Sequence, residues 1–177
     1  MKCLTSHECR EWISQHALTE QPYGTKTAPP YYIQFDAPER FSAITAFTNC
    51  LAENFWEDGP ACISIADWAL YEPYEMRMIE LFRQAHLENR QLIDAPAHIF
   101  VREESNDLIG MFGLTTAFQW TAYLYLPASK ITILNWEGVI FDFWSESEEH
   151  IVTLLKVLDF FKLRQTKDPA SRAKRIP

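Results

Sequence analysis

The chain has 177 residues, 47% of them hydrophobic and 23% charged, a balance that sets wholesale disorder aside and fits one domain. A chain this long buries about 70% of the surface its unfolded form exposes, so a core can form without staples. The formal charge of −8 hides an asymmetry: residues 1–161 carry 10 basic and 23 acidic side chains, whereas residues 162–177 carry six basic groups and Asp168. An acidic body repels phosphate backbones and anionic membranes and attracts basic partners, which argues against specific nucleic-acid binding and membrane association.

The four cysteines, Cys3, Cys9, Cys50 and Cys62, form no CxxC pair and read as small apolar residues within regular structure. Met1–Glu8 contains no apolar signal segment, and no apolar run approaches the roughly 18 residues of a membrane span. A cytoplasmic location with reduced thiols is therefore expected.

In chain order, Thr5-x-x-Glu8 is a capping box that opens a first helix, with Cys9, Trp12, Ile13 and Ala17 at helical spacing. Residues 19–30 hold three prolines and Gly24 and read as a loop. Tyr31–Phe35 reads as a short strand. Pro38 suits the first turn of a second helix whose buried stripe is Phe41, Ile44, Phe47, Leu51 and Phe55. Cys62–Leu70 follows as a strand, then a third helix from Pro73 with Met78, Ile79, Phe82 and Ala85 inward. The proline-broken segment 92–100 is expected to be an ordered loop. A fourth helix runs over about 103–118. Gly110 and Gly113 inside it each cost about 1 kcal/mol relative to alanine, which a close approach of other elements would offset.

From Trp120 the apolar period changes from 3.6 to 2. Residues 120–126, 131–135 and 139–144 become three strands with links short enough for an antiparallel meander. Ser145-x-x-Glu148 reads as the box that starts a last helix with Ile151, Leu154, Leu155, Leu158 and Phe161 on its apolar side. Helices come first and strands cluster late, so the fold class is α+β: helices packed on an antiparallel sheet that includes a C-terminal meander over about 120–144, closed by a C-terminal helix. Residues 1–161 form the domain, and 162–177 are expected to be a basic, mobile tail.

The five histidines make no HxxxH or HExxH pair, and with five glycines there is no room for a phosphate-cradling loop. No nucleophile elbow is present. Nothing in the sequence therefore asks for a metal or a cofactor. The chemistry-bearing candidates are carboxylates at aromatic strand ends, Asp67, Glu137 and Asp142, together with His98 in the 94–98 loop. A carboxyl in an apolar setting has a raised pKa, as a general acid requires, yet each of these residues also has an ordinary structural reading. Trp68, Glu72, Tyr74, Trp136, Glu137 and Trp144 have instead the composition of a binding surface, since interfaces favour aromatic anchors and acidic rims steer basic partners. The leading expectation is a small protein-binding module, a regulator or inhibitor of the immunity or antitoxin kind acting on a basic partner. The alternatives are an acid–base enzyme acting on a small molecule and a homo-oligomeric subunit whose interface is the aromatic surface.

Overall fold

The structure, a computed structural model, describes residues 1–68 and 71–167. Eight strands, β1 (Lys2–Leu4), β2 (Tyr31–Asp36), β3 (Ala61–Asp67), β4 (Ala97–Phe100), β5 (Thr121–Leu126), β6 (Ile131–Trp136), β7 (Ile140–Ser145) and β8 (Gln165–Lys167), form one sheet. Its order is β1-β4-β3-β5-β6-β7-β2-β8, and every described pairing is antiparallel. The helices are α1 (Ser6–Gln15), α2 (Phe41–Phe55), α3 (Pro73–Ala85), α4 (Ser105–Ala117) and α5 (Glu148–Phe161). The protein is thus α+β, and the meander expected near residues 120–144 is β5-β6-β7.

Strand alternation divides the sheet's side chains between two faces. One cross-strand row reads Cys3, His98, Ile63, Leu124, Ile133, Phe143 and Ile33. From Ile63 onward this row belongs to the main core, to which α2, α4 and α5 contribute Phe47, Leu51, Phe55, Met111, Phe112 and Leu154. The expected close approach does not demand glycine at either helical position, since an added methyl group would meet its neighbours at ordinary contact distances. A methyl group at Gly113 would stand 3.6 Å from Thr48 Oγ1 of α2, and one at Gly110 would stand 3.9 Å from the Phe82 ring of α3.

The opposite face is covered differently. A second row reads Leu4, Ala97, Ser64, Tyr123, Leu134, Asp142 and Gln34, growing polar toward β2. Helix α1 covers the β1–β3 side with Cys9 and Ile13, which pack on Leu4, Cys62, Ala97 and Tyr125. The α1–β2 loop covers the rest: Ala28 rests on Tyr32, Leu134 and Trp144. Tyr125 Oη donates to the Glu20 carbonyl, and Lys130 Nζ donates to the His16 carbonyl at 2.6 Å.

Several local expectations give way to tertiary structure. The segment around His98 is strand β4 rather than a loop, because residues 97–100 pair with β1 on one side and β3 on the other once past Pro96. The second helix begins at Phe41, after Arg40. The last helix is capped by the Ser147 hydroxyl, which accepts from Glu149 N; Ser145 Oγ instead accepts from Ser147 N and hydrogen-bonds with His150 Nδ1 at 2.7 Å. Within the segment expected to be a tail, Gln165–Lys167 extends the sheet beside β2; the remainder of that segment, 168–177, lies outside the described residues.

Candidate functional site

Of the four residues singled out for catalysis, His98 and Asp142 lie on opposite faces of the sheet. His98 is wholly buried on β4, facing the same side as Cys3 and Ile63. Burial first, and then the nearby Arg83 guanidinium, push its pKa down to about 3, so it stands as a neutral imidazole at neutral pH. Asp142 is equally buried on the opposite face, where its Oδ1 accepts from Tyr32 Oη at 2.5 Å and Gln34 Nε2 at 2.8 Å. Asp67 and Glu137 are exposed at the ends of β3 and β6. Proton relay through a shared substrate needs direct or one-water reach, and two opposite faces of a sheet do not provide it.

The residues singled out for binding fare differently. Trp144 is fully buried beneath the α1–β2 loop and leaves the set, because alternation turns it to the covered face beside Tyr32. The other five gather at one end of the sheet. Trp68 follows β3 and lies 6.5 Å, ring to ring, from Trp120 at the start of β5. Trp120 lies 5.7 Å from Phe118, and Phe118 lies 6.3 Å from Tyr74 on α3. Glu72 immediately precedes α3, and its backbone N–H donates to Glu75 Oε2 at 3.0 Å. Trp136 and Glu137 sit in the β6–β7 turn, which comes to the same end because Gly138 rests against Thr116 and Gln119 at the end of α4. Asn135 fastens the arrangement: its Nδ2 donates to the Trp120 carbonyl and its Oδ1 accepts from Gly138 N, both at 3.0 Å. Tyr23, from the α1–β2 loop, stands edge-on to Trp136 at 6.4 Å.

Helix α3 carries an inversion that sequence periodicity did not reveal. It buries Glu75 and Arg83 beside Ile79 and exposes Tyr74 (60%), Met78 (44%) and Leu81 (50%). Met78 and Ala85, expected to point inward, face solvent. The Arg83 guanidinium is held inside by the Ala95 carbonyl, which accepts from Nη2 at 3.2 Å. With a charged residue occupying the inner stripe, the apolar side chains one position away on the helical wheel turn outward. The available signal was that apolar residues recur at 74, 78, 81 and 85 as well as at 76, 79 and 82; a helix apolar on two sides has use for two neighbours.

A cleft of about 310 Å³ opens between α1, the α1–β2 loop and the sheet, lined by Cys9, Arg10, Glu20, Ser64 and Tyr125 among others and reaching Trp68 of the aromatic end. Among the described residues, no three His, Cys, Asp or Glu side chains gather closely enough to hold a metal ion, and no helix is long and apolar enough to cross a membrane. Compared with known proteins, the sequence matches no family model, and no curated protein or solved structure matches it.

Proposed function

We propose that the protein is a protein-binding module whose docking surface is the aromatic end of the sheet, continued along the outer side of α3. The observation that carries this reading is the inversion of α3, which faces Tyr74, Met78 and Leu81 outward next to the Phe118–Trp120–Trp68 aromatic chain. Contiguous exposed apolar side chains with polar neighbours mark interaction sites on soluble proteins. Asp67, Glu72 and Glu137 lie at this end, and the body they belong to carries 10 basic and 23 acidic groups. A basic protein surface with an apolar centre is the complementary partner: the aromatics supply buried anchors and the acids steer the encounter. A regulator or inhibitor of such a partner is the functional class this supports.

The test is affinity capture on the immobilised chain beside a Tyr74→Ser, Met78→Ser, Leu81→Ser triple variant, washed at low and at high salt. A basic protein retained by the unaltered chain, weakened by salt and lost from the variant is expected. Equal retention by both, or no retention by either, overturns the reading. Sedimentation of the unaltered chain at high concentration separates the homo-oligomer alternative: a dimer that the triple substitution dissolves would assign the same surface to self-association.

A further inference from the structure

On the other face of the sheet, Cys9 and Cys62 belong to one buried cluster that joins helix α1 to strand β3. Cys62 lies in the cross-strand row between Ile99 and Tyr125, pointing toward α1, and Cys9 is on the inner side of α1. The two thiols lie close enough within this cluster to influence each other's ionisation, and Ser64 stands beside Cys9. Both are buried, Cys9 at 3% exposure and Cys62 at 0%, but Cys9 lines the 310 Å³ cleft with Arg10, Ser64 and Tyr125, and Cys62 does not.

We propose that this cleft is a thiol-modification site, in which Cys9 reacts with a two-electron oxidant of the hydroperoxide class and Cys62 resolves the product into a Cys9–Cys62 disulfide. The Cys9 sulfur attacks one oxygen of the peroxide; an S–O bond forms, the O–O bond breaks, and the departing oxygen takes the thiol proton and leaves as water or an alcohol. Cys9 is then a sulfenic acid. The Cys62 sulfur attacks the Cys9 sulfur; an S–S bond forms, the S–OH bond breaks, and the hydroxyl leaves as water with the Cys62 proton. Two thiols are oxidised and one hydroperoxide is reduced.

The division of roles follows from the surroundings. Cys9 is the thiol at the cleft wall, and Cys62 does not line the cleft, so an incoming peroxide meets Cys9 first and the sealed thiol waits for the sulfenyl sulfur. The neighbouring Cys62 and Ser64 lower the pKa of the Cys9 thiol from its ordinary value, which favours the attacking thiolate there, while Cys9 beside it and burial raise that of Cys62. Cys3 lies on the other face of the sheet beside His98, and Cys50 is on α2 next to Asn54; neither takes part. The bond would fasten α1 to the sheet and alter the cleft floor. The proposal rests on Cys9 and Cys62, neither of which belongs to the aromatic end, although Trp68 of that end also lines the cleft.

The reduced full chain is exposed to stoichiometric hydrogen peroxide under native conditions and in urea, quenched with an alkylating reagent and mapped as peptides. The expected result is a Cys9–Cys62 linked peptide formed at least tenfold faster in the native chain than in urea. The Cys62→Ser variant is expected to carry a Cys9 sulfenic acid that dimedone traps. The proposal is overturned if Cys9 and Cys62 remain alkylatable while Cys50 oxidises, if Cys9 sulfenic acid persists unresolved in the unaltered chain, or if the link forms no faster in the native chain than in urea.

Discussion

The Tyr32 hydroxyl donates to Asp142 Oδ1 across 2.5 Å between adjacent strands β2 and β7, with Tyr32 all but sealed from solvent and Asp142 entirely so. Gln34 Nε2 shares the same oxygen at 2.8 Å. A carboxyl placed between Phe141 and Phe143 in sequence is thereby a structural acceptor that orders the covered face. Replacing it with alanine would leave the buried Tyr32 hydroxyl without this acceptor, a loss of about 1–3 kcal/mol, with a further contribution from Gln34. Asp142→Ala is therefore expected to lower stability by roughly 3 kcal/mol and Tyr32→Phe by about 1–2 kcal/mol, measured by urea unfolding. The double variant should fall short of the sum, because the two residues act on one interaction.

The same pair shows which features periodicity reveals and which it misses. Alternation placed Asp142 on the face opposite Phe141 and Phe143, and that face would be solvated if the sheet were covered on one side alone. It is instead covered by the α1–β2 loop, whose Ala28 rests on Tyr32 and Trp144; neither composition nor period assigns a proline-rich loop to a sheet face. The meander and all five helices were legible because each carries a local repeat. The two edge strands β1 and β8, of three residues each, are too short to show one. At the aromatic end, Trp68, Glu72, Tyr74, Trp136 and Glu137 were legible as residue types. Their convergence depends on Gly138 packing against α4, a contact between residues far apart in sequence. The inversion of α3 escaped because the Arg83 guanidinium is held inside by the Ala95 carbonyl, a tertiary contact that helical periodicity does not reveal.

His98 makes stability depend on pH in a definite direction. Its folded pKa is lowered from 6.5 to about 3, chiefly by burial, so between those values the unfolded chain binds the extra proton and the folded chain does not. The full contribution is present above pH 6.5 and is lost progressively as pH falls toward 3. Between pH 6.5 and pH 5, above most carboxylate titration, the loss amounts to about 2 kcal/mol at 1.36 kcal/mol per unit. A His98→Leu variant lacks this slope, so its urea midpoint should change less over that interval than that of the unaltered chain. Parallel midpoints for the two proteins would show that His98 takes up its proton in the folded state.

The outward residues of α3 bury little area in the chain itself, so their removal should leave the fold intact. Tyr74→Ser, Met78→Ser and Leu81→Ser are each expected to alter unfolding free energy by no more than about 0.5 kcal/mol, the usual range for surface positions. Ile79→Ala, one position inward at 0% exposure, should cost about 2–5 kcal/mol. If the serine variants proved as damaging as Ile79→Ala, the outer stripe would be part of the core and the docking surface would lose its basis.

The β6–β7 turn joins stability to the proposed interface. Glu137 and Gly138 both have positive φ, 50° and 64°, with Val139 N donating to the Trp136 carbonyl at 3.0 Å, as in mirror-image hairpin turns that favour Asn-Gly. A Cβ at Gly138 would stand 2.2 Å from the Thr116 carbonyl oxygen, a backbone atom that can yield only by displacing the end of α4. Gly138→Ala is therefore expected to cost at least about 2 kcal/mol, combining a strained φ with that clash. Glu137→Asn should act oppositely, stabilising the chain by about 0.5–1 kcal/mol because asparagine tolerates this conformation better than glutamate. If the acidic rim steers a basic partner, the same substitution slows association while leaving dissociation nearly unchanged, a combination that stopped-flow binding at two salt concentrations resolves. A stabilised turn with an unaltered association rate would separate Glu137 from the interface and leave it a residue of the hairpin alone.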